Sequence, residues 1–241
     1  MKPQNQHSLN TPPYCFGSSD CKHCTIRHSM LFCSINVENF DHIFEPVDNL
    51  RYTAKAQIYT QGEQGREIYS IRNGLVKLVQ FEPNGNQRIV RLLGAKDVFG
   101  LESLLSEPYH QTAIVLQELS VCRIPISSLT QLEDATPSLN DHVMQCWGHH
   151  LSRSEQWLTQ LSVGSVKTRV INFLLMLKAI NRHHNETLKL ISYEDIASII
   201  CSSRETVTRI MVELKVSGLI HKGETAKEIY FDDDVLKNAI K

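Results

Sequence analysis

Three cysteines crowd the start of this chain, Cys21, Cys24 and Cys33, and a fourth, Cys122, stands alone much further on. Cys21 and Cys24 form C-x2-C, which places two thiolates on one tight turn where they can chelate a single ion or cluster. Cys33 follows within the same short segment, and Cys122 would complete the four thiolates that iron–sulfur clusters and structural zinc both take. Cys15 lies close enough to stand in for one of the first three. Four thiolates by themselves leave cluster and zinc open. Cys146 and Cys201 read as small buried hydrophobes. A second kind of chemistry is legible near the other end. Arg204, Glu205, Thr208 and Arg209 fall on one edge of a helix, with Val207 and Ile210 turned to the core. Arginine suits guanine O6 and N7, glutamate accepts from cytosine N4, and threonine meets a thymine methyl. The plainer alternatives are that Ser202 and Glu205 make a capping box, and that Arg209 neutralises phosphate or pairs with Glu205.

Composition limits what those residues can serve. The 241 residues suffice for two domains. With 41% hydrophobic and 21% charged residues the chain has the make-up of an ordinary soluble protein. The opening MKPQNQHSLN has no apolar run and no later stretch reaches membrane-spanning length, so the expectation is cytoplasmic, with no membrane partner. Seven cysteines in such a chain favour metal or redox chemistry over disulfides. The net charge of −1 exerts no general pull on nucleic acid, so a DNA-binding surface must be local. Residues 165–241 hold 12 Lys and Arg against 10 Asp and Glu, which requires the same focusing. No Gly-rich phosphate loop, acid–base pair or nucleophile arrangement stands out, and the chain does not read as an enzyme.

The elements that must position these groups fall into an α+β arrangement. From Lys55 to Pro125 short apolar segments alternate with Gly62, Gly74, Asn84-Gly85, Gly94 and Gly100, the pattern of an antiparallel roll or barrel with a hairpin turn at Asn84-Gly85. After Pro137 comes a long helix in which Met144, Trp147, Leu151, Ser154, Leu158 and Leu161 step by three and four, a coiled-coil seam for a homodimer with one polar member, Ser154. Val170, Phe173, Leu174 and Leu177 mark the next helix. Ser192 with Asp195 opens another, the Cys201-Ser202 break leads to the helix carrying Arg204, and a β-hairpin about Gly223 follows: a winged helix-turn-helix. The expected divisions are a cysteine-rich arm over 1–35, a β-roll sensor over 36–136, a dimerisation helix over 137–163 and the DNA-binding unit over 164–241.

Gly62, Gly74, Gly94, Asp97-Val98-Phe99-Gly100, the long helix and Ser203-Arg204-Glu205-Thr206-Val207-Thr208-Arg209 together resemble the CRP/FNR superfamily of bacterial transcription regulators, whose β-roll is of the cyclic-nucleotide-binding kind. The cysteines, with Ser120-Val121-Cys122-Arg123-Ile124-Pro125, are most similar to its oxygen-responsive FNR branch. That resemblance implies an oxygen-labile [4Fe–4S] cluster on Cys21, Cys24, Cys33 and Cys122, a response to oxygen or nitric oxide, palindromic double-stranded DNA as target and RNA polymerase as partner. Departures accompany it. The gap from Cys24 to Cys33 is wider than the commonest FNR spacing. Arg204 is the cyclic-AMP-receptor choice while Thr208 is nearer the FNR serine, so the half-site lies between TTGAT-like and TGTGA-like. Where cyclic-nucleotide binders carry Arg-Ser and Gly-Glu-Leu, this chain has Gln111-Thr112 and Gly100-Leu101-Glu102. A buried phosphate would lack its cation, and no cyclic nucleotide is expected. A structural zinc site or a thiol redox switch is the alternative to the cluster.

Overall fold

The computed structural model describes residues 14–18, 23, 47–82, 87–135, 138–181 and 187–240. Cys21, Cys24, Cys33 and the Asn84-Gly85 turn lie outside the described residues. The chain forms two compact units, one of Met1–Gln87 with Leu92–Cys146, the other of Arg88–Arg91 with Trp147–Lys241.

An antiparallel sheet has seven strands: β1 Tyr14–Ser18, β2 Asp48–Tyr52, β3 Gln57–Tyr59, β4 Glu67–Phe81, β5 Gln87–Leu93, β6 Val98–Phe99 and β7 Thr112–Pro125. Their order is β1-β2-β7-β4-β5, with β3 also on β7 and β6 on β4. Among the described residues β5 does not pair back to β1, so the expected roll is present but not closed as a barrel. The segments Ile68–Ile71 and Val76–Gln80, separate in the sequence, are one strand of 15 residues. Gly74 keeps that strand continuous at φ +103°, a conformation that side-chain-bearing residues avoid. A Cβ there would stand 2.3 Å from the Glu118 carbonyl oxygen, and the β4–β7 register shifts on either side of Asn73. Ile68 and Leu75 of β4 and Leu119 and Val121 of β7 are fully buried, which withdraws their apolar area from water. Tyr59 stacks on Tyr109 at 3.7 Å and Tyr69 on Phe99 at 5.1 Å between ring centroids. A 3₁₀ turn, Leu101–Leu105, follows β6, and helix α1, Ile126–Ala135, adds Leu129 to the core.

Helix α2, Ser138–Leu161, is the long helix expected after Pro137 and contributes residues to both units. The second unit continues with α3 Val166–Ile180, β8 Leu188–Lys189, α4 Tyr193–Ile199, α5 Arg204–Val216, β9 His221–Lys222, β10 Glu228–Tyr230 and α6 Asp233–Asn238. Val170, Phe173, Leu174 and Leu177 of α3 are all fully buried, as their spacing predicts. Strands β9 and β10 make the expected hairpin, and β8 joins its other side in the order β8-β10-β9. No helix among the described residues is long and apolar enough to cross a membrane.

Candidate nucleic-acid interface and cysteine site

Helices α4 and α5 form the helix-turn-helix, each started by a side-chain cap. Ser192 accepts from the Asp195 N–H, as expected. The cap of α5 is Ser203, which accepts from the Thr206 N–H, so the capping box read on Ser202 and Glu205 is displaced by one residue. Between the helices Cys201 adopts φ +52° and is exposed, contrary to the buried hydrophobe expected there. Arg169 of α3 donates to the Ile200 carbonyl at 2.6 Å, occupying an acceptor at the end of α4. Val207, Ile210, Met211 and Leu214 bury the inner face of α5 and fix its orientation on α3 and α4.

That packing leaves Arg204, Glu205, Thr208 and Arg209 exposed on the outside. The Glu205 carboxyl is held below the ordinary range by its own backbone N–H, the Ser203 hydroxyl and the charge of Arg204, and so is ionised at neutral pH. Thr208 donates its hydroxyl to the Arg204 carbonyl at 2.8 Å, fixing its rotamer. Lys167 binds Glu213 at 2.8 Å, and that bond with the field of Arg209 keeps Glu213 charged. Arg209 makes no ion pair with Glu205 among the described residues. The exposed edge therefore carries the Arg204 and Arg209 guanidinium groups and the Glu205 carboxylate, groups of the kind that read base edges in a major groove.

On α2, Met144, Trp147, Leu151 and Leu158 are 69%, 39%, 63% and 61% exposed. Leu139, Val143 and Cys146 of the same helix pack on the first unit's core, about a quarter-turn round the helix from the stripe. Ser154 is half-buried and donates its hydroxyl back to the His150 carbonyl at 2.8 Å. Leu161, expected at the end of the seam, is only 1% exposed and packs within its own chain, which leaves the stripe ending at Leu158.

Of the four cysteine candidates Cys122 lies among the described residues. It is half-buried on β7, paired with Asn49 of β2 and Ser70 of β4. Beside Leu104, Ile126, Val143 and Cys146 it packs against the apolar cluster of Val47, Ile68, Val98, Leu101, Ile124, Leu129 and Leu139. Arg72 donates to its sulfur, with N and S 3.8 Å apart. The next residue, Arg123, pairs with Asp48 and, at 3.2 Å, with Glu67, so β2, β7 and β4 are clamped together at the level of Cys122. Glu67 also accepts from the Tyr69 hydroxyl at 2.7 Å, and burial, with the charge and hydrogen bond of Glu67, pushes the Tyr69 phenol far up. Sequence reasoning missed this clamp, whose members are widely spaced along the chain. Ser18 of β1 pairs with Asp48, which pairs with Arg123. The chain thus leaves β1 two strand spacings, roughly 10 Å, from the Cys122 level. Cys21 follows Ser18 by three residues, whose covalent reach is about 10 Å. Chain length alone therefore permits Cys21 to reach the level of Cys122.

Comparison with known proteins bears on both sites. The cyclic nucleotide-binding domain family matches residues 49–135, and the Crp-like helix-turn-helix domain family matches residues 168–233. The transcriptional activator protein Anr of Pseudomonas aeruginosa is 26% identical over 220 residues, covering 89% of each chain. The fumarate and nitrate reduction regulatory protein of Vibrio cholerae is 21% identical over 205 residues, 83% of this chain and 82% of that one. The chain belongs to the CRP/FNR superfamily. It is a DNA-binding transcription regulator and not an enzyme. FixK2 from Bradyrhizobium japonicum shares its fold at a TM-score of 0.71 and 23% identity, over 80% of this chain and 97% of that one. A CRP-family regulator of Thermus thermophilus superposes at 0.67 with 25% identity, over 78% and 94%. CRP/FNR regulators typically dimerise, and the stripe on α2 is an apolar surface of the kind a second helix covers. At the positions of this CRP/FNR chain where the nucleotide-binding motifs would stand, Thr112 accepts from the Gln61 N–H at 2.9 Å and Glu102 from the His110 N–H at 3.2 Å.

Proposed function

We propose that this CRP/FNR regulator is a homodimer that senses oxygen or nitric oxide through a labile [4Fe–4S] cluster on Cys21, Cys24, Cys33 and Cys122, and that it controls anaerobic and respiratory genes. The observation that carries the reading is the strand register Ser18–Asp48–Arg123, which brings the cysteine-bearing segment within chain reach of Cys122. Likeness to Anr and to the fumarate and nitrate reduction regulator supports it further. When bound, the cluster would supply an oxygen-labile cross-link between the N-terminal segment and β7. The chain's own residues do the rest. Arg72 offsets negative charge at the Cys122 sulfur, and the Arg123 clamp fixes the strand that carries it. The apolar cluster shared by Cys122, Val143 and Cys146 couples that strand to α2. Along the exposed stripe of α2, Met144, Trp147, Leu151 and Leu158 pair with a second copy, with Ser154 as the polar member.

Dimerisation sets two copies of α5 on palindromic double-stranded DNA, with half-sites about 34 Å apart. There Glu205 and Arg209 address a G·C step, and Arg204 and Thr208 flank it. An on/off ratio of a hundred requires about 2.7 kcal/mol of bias between paired and unpaired α2, within the reach of a few interface contacts. RNA polymerase is the further partner. Cyclic nucleotide is not a ligand, because Gln111 replaces the cation its phosphate needs and Thr112 and Glu102 are engaged internally. Anaerobically prepared protein should bind a palindromic site about a hundredfold tighter than the same protein after air exposure. Equal affinity before and after would contradict the sensing role, and protection of a single half-site would contradict the dimer.

A further inference from the structure

We infer that Val212 is a specificity-determining residue that reads the methyl group of a thymine beside the G·C step. This rests on the base-reading assignment of α5 given above. The buried residues of α5 are Val207, Ile210, Met211 and Leu214. At 3.6 residues per turn the side diametrically opposite carries Glu205, Arg209, Val212 and Val216 in one stripe. Val212 is 54% exposed and Val216 84%. The flanks are otherwise occupied: Glu213 is held by Lys167 on one side, and Thr208 is bonded back to the Arg204 carbonyl on the other. Neither core packing nor helix propensity accounts for Val212. It faces away from the core, and a β-branched residue is a poorer helix former than the lysine or glutamate that solvent would tolerate.

Its place on the reading stripe does account for it. Val212 lies about 4.5 Å along the axis from Arg209, which advances it one to two base pairs along the groove. The apolar group that a base edge offers to the major groove is the thymine C5 methyl, and a branched aliphatic side chain is its natural complement. Val216 is a further turn away, about 10 Å beyond Arg209, where a recognition helix reads less because base contacts concentrate towards its N-terminus. The geometry thus adds an apolar contact to the polar readout of Glu205 and Arg209, contributed by a different residue from Thr208.

The test begins with selection of the preferred duplex from a random pool by the full-length protein under anaerobic conditions. Each thymine of that duplex is then replaced in turn by deoxyuridine, which deletes the C5 methyl and nothing else. For the unmodified protein one replacement per half-site should weaken binding about three- to fivefold, the worth of one buried methyl. Val212→Ala should bind the thymine and uracil duplexes equally at that position, while Val216→Ala and Thr208→Ser keep the discrimination. If Val212→Ala retains the full penalty at every thymine, or if Thr208→Ser is the variant that abolishes it, the assignment to Val212 is overturned. A selection that returns no sequence preference would instead overturn the base-reading assignment beneath it.

Discussion

Leu151→Ala tests the dimer seam where the exposed stripe is best isolated from folding. Leu151 is 63% exposed, so shortening it leaves the core of its own chain untouched. Fully burying a leucine side chain contributes about 1.5–3 kcal/mol. Scaled by the exposed fraction, covering Leu151 in a dimer contributes about 1–2 kcal/mol per copy. Both copies lose it at once, so the dimer should weaken by about 2–4 kcal/mol, or roughly 30- to 1,000-fold in dissociation constant. Sedimentation velocity across a concentration series of anaerobic protein reads this directly. The thermal midpoint of the monomer should stay within a degree or two, as for a surface change. Val235→Ala, 51% exposed but on α6, is the matched control and should leave the dissociation constant unchanged. A Leu151→Ala protein that dimerises within threefold of the unmodified chain would show that the stripe is not the dimer contact.

Other expectations follow from single residues. Gly74→Ala puts a Cβ against the Glu118 carbonyl at φ +103° and should lower stability by at least about 2 kcal/mol, read as a fall in urea midpoint; an unchanged midpoint would mean the strand yields freely there. Asp232 caps α6 by accepting from the Asp234 and Val235 N–H groups, which holds its carboxyl below the ordinary range. Its contribution is therefore full above the ordinary aspartate pKa and lost as pH falls through the lowered native value, and Asp232→Asn should flatten the acid limb of a stability–pH curve. Arg209→Ala should cost about 1–3 kcal/mol on the specific site and relax preference at the guanine. An unchanged ratio of specific to random-DNA affinity at fixed salt would make Arg209 a phosphate contact instead.

Much of the fold is legible from local patterns because local physics sets it. The 3.6-residue spacing of Val170, Phe173, Leu174 and Leu177 survives as a fully buried face, and Ser192 caps α4 as its sequence predicts. Glycine punctuation marks the antiparallel sheet correctly but over-divides it. At Gly74 the chain bulges without leaving the sheet, so two expected segments form one strand. Helix α1 escapes notice because, among its described side chains, Leu129 is the one deeply buried apolar residue, too little for a period to emerge. Leu161 keeps the seam's spacing yet turns into its own core, which spacing cannot distinguish from pairing with a second helix. Ser202 and Ser203 are both good caps, and the choice between them depends on the turn at Cys201. For the candidate sites, the identities of Arg204, Glu205, Thr208 and Arg209 carry their exposure with them, since the core residues between them are plain. The Arg123 clamp with Asp48 and Glu67 is different in kind. Its members come from three strands, and no short-range pattern announces an ion pair that depends on register.

In the proposed function four cysteines, three from the N-terminal segment and Cys122 from the sheet, hold one iron–sulfur cluster. Its most direct test is iron, sulfide and zinc analysis, together with the visible spectrum, of protein purified without oxygen, alongside Cys122→Ser prepared in the same way. The protein should be brown, with about four iron and four sulfide per chain, and bleached by air, and the Cys122→Ser variant colourless. A colourless protein holding one zinc per chain, or a Cys122→Ser variant that keeps the full complement of iron and sulfide, would contradict it.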